Sequence, residues 1–186
     1  MAVQGLWAVP WLMEVNGFER AIAAEHLFAM GVTMLAGYLV LGLASTRIAR
    51  YGVHPRHLFG AGFALNAVCL AAILAGLPGS WMWWPLYGLG ATVNVLAFTV
   101  LNDGFGVELT GRANTALNLL MFIGSFSWQW GIGVVVDAAR SGLGLGVAAG
   151  LRLAFALALL LYAAAFAWFA WGWRQHARSL RAVAAA

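Results

Sequence analysis

"AIAAEHLFAMGVTMLAGYLVLGLASTRIARYGVHPRH", residues 21–57, decides the fold class. Its first part, 21–45, is apolar with one formal charge, Glu25. Its second part, 46–57, concentrates Arg47, Arg50 and Arg56 with His54 and His57. An α-helix needs about 17–25 apolar residues to cross a hydrocarbon core about 30 Å thick. The first part has that length, and the cations follow at its end. The whole chain has the same character: 186 residues, 63% hydrophobic and 9% charged. A soluble domain carries about 25% charged and about 45–50% apolar residues. Too little polar sequence is present to coat a soluble core, and lipid is the solvent that removes the need for a coat. The expected fold is an all-α, polytopic membrane helix bundle forming a single membrane domain over 1–186.

Working outward, four more runs reach spanning length: 58–77, 82–102, 113–136 and 146–173. Ahead of the first lies "AVQGLWAVPWLMEV", 2–15, apolar but short. At about 1.5 Å per residue it reaches roughly 21 Å, less than the core. It reads as part of a spanning helix, or as a short interfacial or re-entrant segment. The expectation is therefore five full transmembrane helices plus a partial N-terminal one. "NGFER", 16–20, and "PGSW", 78–81, read as turns. "DGFGVELTGR", 103–112, and "DAARSGLGLG", 137–146, read as polar or flexible links. No cleavable signal peptide is expected, because the start lacks a basic region and an alanine-type cleavage site.

The chain has ten Arg, no Lys and a formal charge of +4. A basic balance can mean nucleic acid, but these arginines sit between apolar runs, and membrane topology explains them. If the spans alternate, one side holds Arg47, Arg50, Arg56, Arg112, Arg174, Arg178 and Arg181, and the other Arg20, Arg140 and Arg152. The positive-inside rule then puts the first set, with the C-terminus, in the cytoplasm. Trp81, Trp83 and Trp84 read as the outer aromatic belt, and Trp168, Trp171 and Trp173 as the inner one.

The basic run has more pattern than topology requires. "GLASTRIARYG", 42–52, resembles the Gly-x-Leu-Ala-Asp-Arg-x-Gly-Arg-Arg-Gly loop of the major facilitator superfamily. Gly42, Arg47, Arg50 and Gly52 fall on the pattern, while Thr46 replaces the acid, Ala49 a glycine and Tyr51 a basic residue. "GLWAVPWL", 5–12, is similar to the seventh helix of bacterial members, and "GRANTALNLLMFIGSFSWQWGIG", 111–133, to their eleventh. The order fits helices seven to twelve, the C-terminal half of such a transporter. The resemblance implies secondary active transport of a small solute by alternating access, in a bacterial inner membrane, with no cofactor. It implies as partners the lipid bilayer, a small-molecule substrate, and a missing N-terminal half or a second copy, with no nucleic acid. It also implies a cytoplasmic gate. Thr46 cannot supply the family's acid, so Asp103 or Glu108 would pair with Arg47 or Arg50, with Arg112 on the same side.

Polar groups in spanning helices are costly and face protein or water. Asn114, Asn118, Ser125 and Gln129 fall within roughly a 60° stripe at about 100° per residue, and Met121 and Ile132 share it. Such a line suits a cavity wall or interhelical hydrogen bonding; Asn114 also suits a helix cap. Thr92, Thr99 and Asp103 share one face of the third run, and Asn94 points the other way. Asn66 reads as structural glue. Gln4 and Trp7 are placed to face a cavity, Trp7 by stacking on a flat substrate. The expected substrate path is Gln4, Trp7, Asn94, Asn118, Ser125 and Gln129. Proton coupling needs a carboxyl whose pKa burial can raise; Glu14 and Glu25 are the candidates. His26, beside Glu25, reads as a solvated interfacial side chain. "GVAAG" (146–150), "GIG" (131–133) and "GLG" (88–90) read as small faces for close helix approach.

An enzyme is not expected. His54 and His57 fall short of a metal site's three or four ligands, and no nucleophile triad, phosphate loop or acidic metal cluster appears. The lone Cys69 has no redox or zinc spacing. The alternative to transport is a non-transporting six-helix remnant or half-subunit that associates with another membrane protein.

Overall fold

The computed structural model describes residues 3–184, with side chains described for 3–44, 47 and 50–175. Thr46, Arg178 and Arg181 lie outside the described side chains. Among the described residues every regular element is helical. In hydrocarbon each backbone N–H and C=O needs a partner within the protein, and a helix supplies it within one segment. A π-type turn, Val3–Trp7, runs into α1, Ala8–Glu14. Then follow α2 (Arg20–Arg50), α3 (Pro55–Leu74) and α4 (Ser80–Ala91), a 3₁₀ turn (Thr92–Val95), α5 (Leu96–Asn102), α6 (Val107–Leu143) and α7 (Val147–Ala184). Five stretches are long and apolar enough to cross a membrane: Arg20–Ala44, Pro55–Leu74, Ser80–Asn102, Val107–Leu143 and Val147–Gln175. The chain is an all-α membrane helix bundle with a short helix ahead of the five spans.

Glycine closes two of the links. Gly17 and Gly144 take left-handed φ values of 69° and 63°. Each is followed by an amide that reaches back six residues, Phe18 to the Leu12 carbonyl and Leu145 to the Ala139 carbonyl. A Cβ at these φ values is strained, so glycine suits the cap.

The helices outrun their apolar stretches. The arginines of 46–50 are helical, and the link after them is only 51–54. Most of 103–112 and 137–146, read as links, belongs to α6, which has 37 residues and a length of about 55 Å. The apolar run measures hydrocarbon depth. Polar residues beyond it continue the helix into the interface, helped at the start of α6 by Glu108 in the first turn.

The third span is broken. Pro85 lies inside α4, and the 3₁₀ turn Thr92–Val95 separates α4 from α5. Small residues set the packing around it. A Cβ at Gly62 would collide with Val93, one at Gly90 with Asn66, and one at Gly88 would stand 2.5 Å from Met30 Cγ. These contacts pack α4 and the 3₁₀ turn against α2 and α3. Gly150 brings α7 onto α6, where a Cβ would stand 3.1 Å from Val136 Cα. The small faces expected at 88–90 and 146–150 are therefore close approaches at Gly88, Gly90 and Gly150.

The buried core lies toward the end of the bundle that holds links 15–19 and 144–146. Trp11 stacks on Phe155 at 4.3 Å, and Leu12, Leu70, Trp84, Ile132 and Leu151 are buried with them. Trp84 is thus a core residue and not a belt residue, because its face of α4 turns inward while Trp81 is half exposed. The short first helix fills the centre of the bundle along only part of its length.

Candidate functional site

Where the first helix begins, at Val3, the centre opens into a cavity of about 850 Å³. Every helical rod contributes to its wall. Tyr38 comes from α2, Phe63 and Leu70 from α3, Tyr87 from α4, and Phe98 from α5. Asn118, Met121, Ser125 and Trp128 come from α6, and Ala158 and Tyr162 from α7. Asn94 enters from the 3₁₀ break. A tighter turn inside a span re-aims its side chains and often marks a functional hinge.

Three residues of the expected path, Asn94, Asn118 and Ser125, line this one cavity. The other three meet elsewhere. Trp7 Nε1–H donates to the Gln129 carbonyl at 2.9 Å, and Gln4 Nε2 donates to the Tyr87 carbonyl at 3.4 Å. The Gln129 side chain is near Gly5, whose Cβ would stand 3.6 Å from Nε2. Gln4, Trp7 and Gln129 therefore tie the first helix to α4 and α6. Trp7 packs on Gly133, and its N–H is committed to the Gln129 carbonyl. Asn114 is not a cap: α6 starts at Val107 with Gly106 as its cap residue.

The remaining polar side chains of the spans divide cleanly. Thr92 is buried and donates to the Leu89 carbonyl at 2.7 Å, the self-satisfaction open to a helical threonine. Thr99 is exposed. Asn66 is the interhelical glue expected of it: its Nδ2 donates to the Tyr162 hydroxyl oxygen at 3.3 Å. Its Oδ1 rests over Gly90 without a hydrogen-bond partner. Tyr162, which residue patterning did not single out, is held between Phe63, stacked at 4.1 Å, and Asn66.

His26 corrects its reading as a solvated side chain. It is fully buried. Nδ1–H donates to the Ile22 carbonyl at 2.8 Å, which leaves Nε2 for the Ser80 hydroxyl at 3.0 Å. Trp81 stacks over the ring at 3.8 Å. The first turn of α4, which begins at Ser80, lays Ser80 and Trp81 against α2, and that covers the imidazole.

The candidate coupling acids lie outside the cavity wall. Glu14 and Glu25 both lie exposed on the protein surface. The gate residues Arg47, Arg50, Asp103, Glu108 and Arg112 are exposed as well. No ion pair joins them among the described residues. Arg47 and Arg50 end α2, whereas Glu108 opens α6 and Asp103 follows α5. At the same end, Arg56 lies over the Trp173 ring at 5.0 Å, and His57 is 4.6 Å from that ring. This aromatic contact pins α3 to α7. Among the described residues no three His, Cys, Asp or Glu side chains gather as a metal site.

The fold and cavity define the class: an integral membrane helix bundle with a mainly apolar cavity among its helices, open along α6, where Asn118, Leu120 and Phe122 are exposed. No family model, no curated protein and no solved structure matches the chain.

Proposed function

We propose that the chain is a transport module, the C-terminal half of a secondary transporter of the major facilitator type. It moves a small solute by alternating access, in a bacterial inner membrane with its C-terminus in the cytoplasm. One observation carries this reading: a cavity of about 850 Å³ at the bundle centre that gathers Asn94, Asn118 and Ser125 from two spans. Small-molecule sites have volumes of about 300–1,000 Å³, with mostly apolar walls and a few placed polar groups. The broken third span beside the cavity supports it too, since transporters build sites from discontinuous helices. Asn94, Asn118 and Ser125 are the substrate-contacting residues in this reading. Gln4, Trp7 and Gln129 hold the wall in place.

Alternating access can be tested without a substrate. Cys69 is fully buried, and Cys69→Ser removes it as a background thiol. A Ser125→Cys variant is then exposed to a membrane-impermeant thiol reagent in right-side-out and inside-out vesicles from the native host. Modification from both sides is the expected result. Modification from one side only, or from neither, leaves the non-transporting half-subunit. The mass of the native product, blotted from a tagged locus, tells whether a preceding half is translated with this one.

A further inference from the structure

Among the described residues, none of those lining the cavity is charged. A carboxylate or ammonium would lose the water on the side that the wall covers with no countercharge in return, and that costs more than covering a neutral group. Aromatic rings make up much of the wall, Phe63, Tyr87, Phe98, Trp128 and Tyr162 among them. The chamber is nevertheless not a plain hydrocarbon space. Asn94, Asn118 and Ser125 offer both donors and acceptors, and Tyr162 adds a directed donor. The Tyr162 hydroxyl oxygen accepts from Asn66 Nδ2 at 3.3 Å, so its own proton is left to donate. Phe63 stacks on one face of the ring at 4.1 Å, and that stack fixes its plane.

We propose that the cavity binds an uncharged, largely apolar molecule that carries a hydrogen-bond acceptor. Tyr162, set by Asn66 and Phe63, is the donor that reads the acceptor. This rests on the transport reading for the fate of the ligand, whereas binding stands on the cavity alone. Charged small solutes such as amino acids and organic acids are excluded by the lining, and sugars are disfavoured by its apolar share.

Photolabelling with a matched pair of probes tests the idea. Benzophenone is neutral, apolar and has one carbonyl acceptor; 4-benzoylbenzoate adds a single carboxylate. Both label methionine well on irradiation, and Met121 lines the cavity. The full chain in lipid nanodiscs is irradiated with each probe, and adducts are mapped by peptide mass spectrometry. Benzophenone is expected to label Met121, with 4-benzoylbenzoate about tenfold weaker or worse, since the anion has no partner. Tyr162→Phe should weaken benzophenone labelling about fivefold, the effect of one neutral hydrogen bond. Ser125→Trp should abolish it by filling the space, and Ala165→Phe provides a second filling variant should the first not fold. Equal labelling by the two probes overturns the uncharged class. Labelling that ignores Tyr162→Phe overturns the donor role. Labelling that persists in both filling variants comes from outside the cavity, and labelling that fails everywhere means that lipid or another helix occupies the space; either result overturns the proposal. None of these outcomes depends on two-sided access to Ser125→Cys, so the transport reading fails separately.

Discussion

The indole N–H of Trp7 donates to the backbone carbonyl of Gln129 at 2.9 Å, across 122 positions of sequence. Gly133, one turn further along α6, lies under the same ring, where a Cβ would stand 3.6 Å from it. The first helix is too short to hold itself in the bundle by length, so this bond and the Trp11–Phe155 stack fix its depth. Trp7→Phe keeps the ring and removes the donor. Interhelical hydrogen bonds in membranes contribute about 0.6 kcal/mol on average and up to about 1.7. A loss in that range is expected, read as a lower denaturation midpoint in detergent. An unchanged midpoint would mean that the bond does not anchor the helix.

The buried His26 makes a sharper prediction. His26→Phe preserves the stack on Trp81 at 3.8 Å but deletes the bonds to Ile22 and Ser80. Ser80 is only half-buried, so the loss should fall at the low end of the about 1–3 kcal/mol that an unpartnered buried polar group costs. Ser80→Ala alone should cost less, and the double variant should cost less than the two summed. Contacting residues couple by about 0.5–3 kcal/mol. Strict additivity in the unfolding cycle would sink the pairing.

Close approach at Gly88 can be tested by adding one methyl group. In Gly88→Ala the new Cβ would stand 2.5 Å from Met30 Cγ and 3.0 Å from the Met30 carbonyl oxygen. Overpacking of this kind costs about 1–3 kcal/mol. Adding Met30→Ala removes the flexible half of the clash and should restore part of the loss, while the backbone half remains. Full stability in Gly88→Ala would show that α2 and α4 are free to separate.

The helices were legible because lipid imposes one rule on every residue of a span. The runs at 58–77 and 82–102 match α3 (Pro55–Leu74) and the pair α4 and α5 to within a few residues. Helix ends at the interface were not legible. Glu108, Arg112, Asp137 and Arg140 look like loop residues in sequence, yet they ride on α6. Helical rotation put Asn118 and Ser125 on one stripe, and both line the cavity. Gln129 lies on the same stripe but one end along, where the first helix closes the centre, so a shared face did not mean a shared cavity. His26 escaped because its environment is made by the start of α4, more than fifty positions away. Tyr162 escaped because a lone tyrosine in an apolar run carries no periodic signal. Its role comes from Asn66, 96 positions earlier.

Sidedness is the remaining prediction, and it follows from the arginines. Links 51–54 and 103–106 fall at one end of the bundle, and 144–146 at the other, because the spans alternate. Arg47, Arg50, Arg56, Arg112 and Arg174 belong to the first end, and Arg20, Arg140 and Arg152 to the second. Orientation is set by Lys and Arg in short links, so the first end should face the cytoplasm. Tyr51, Phe105 and Leu145 are exposed, which makes them suitable cysteine positions in a Cys69→Ser background. In intact cells an impermeant maleimide should modify Leu145→Cys, and it should reach Tyr51→Cys and Phe105→Cys only after lysis. The opposite pattern would invert the topology and place the arginine-rich end outside. Mixed labelling of Tyr51→Cys and Phe105→Cys would show that one span between them fails to cross. The weak point is the broken third span, Ser80–Asn102, the least hydrophobic of the five with a mean hydropathy of 1.4. Such a failure would also remove Asn94 from the cavity wall, so this labelling pattern bears on the site as well as on the topology.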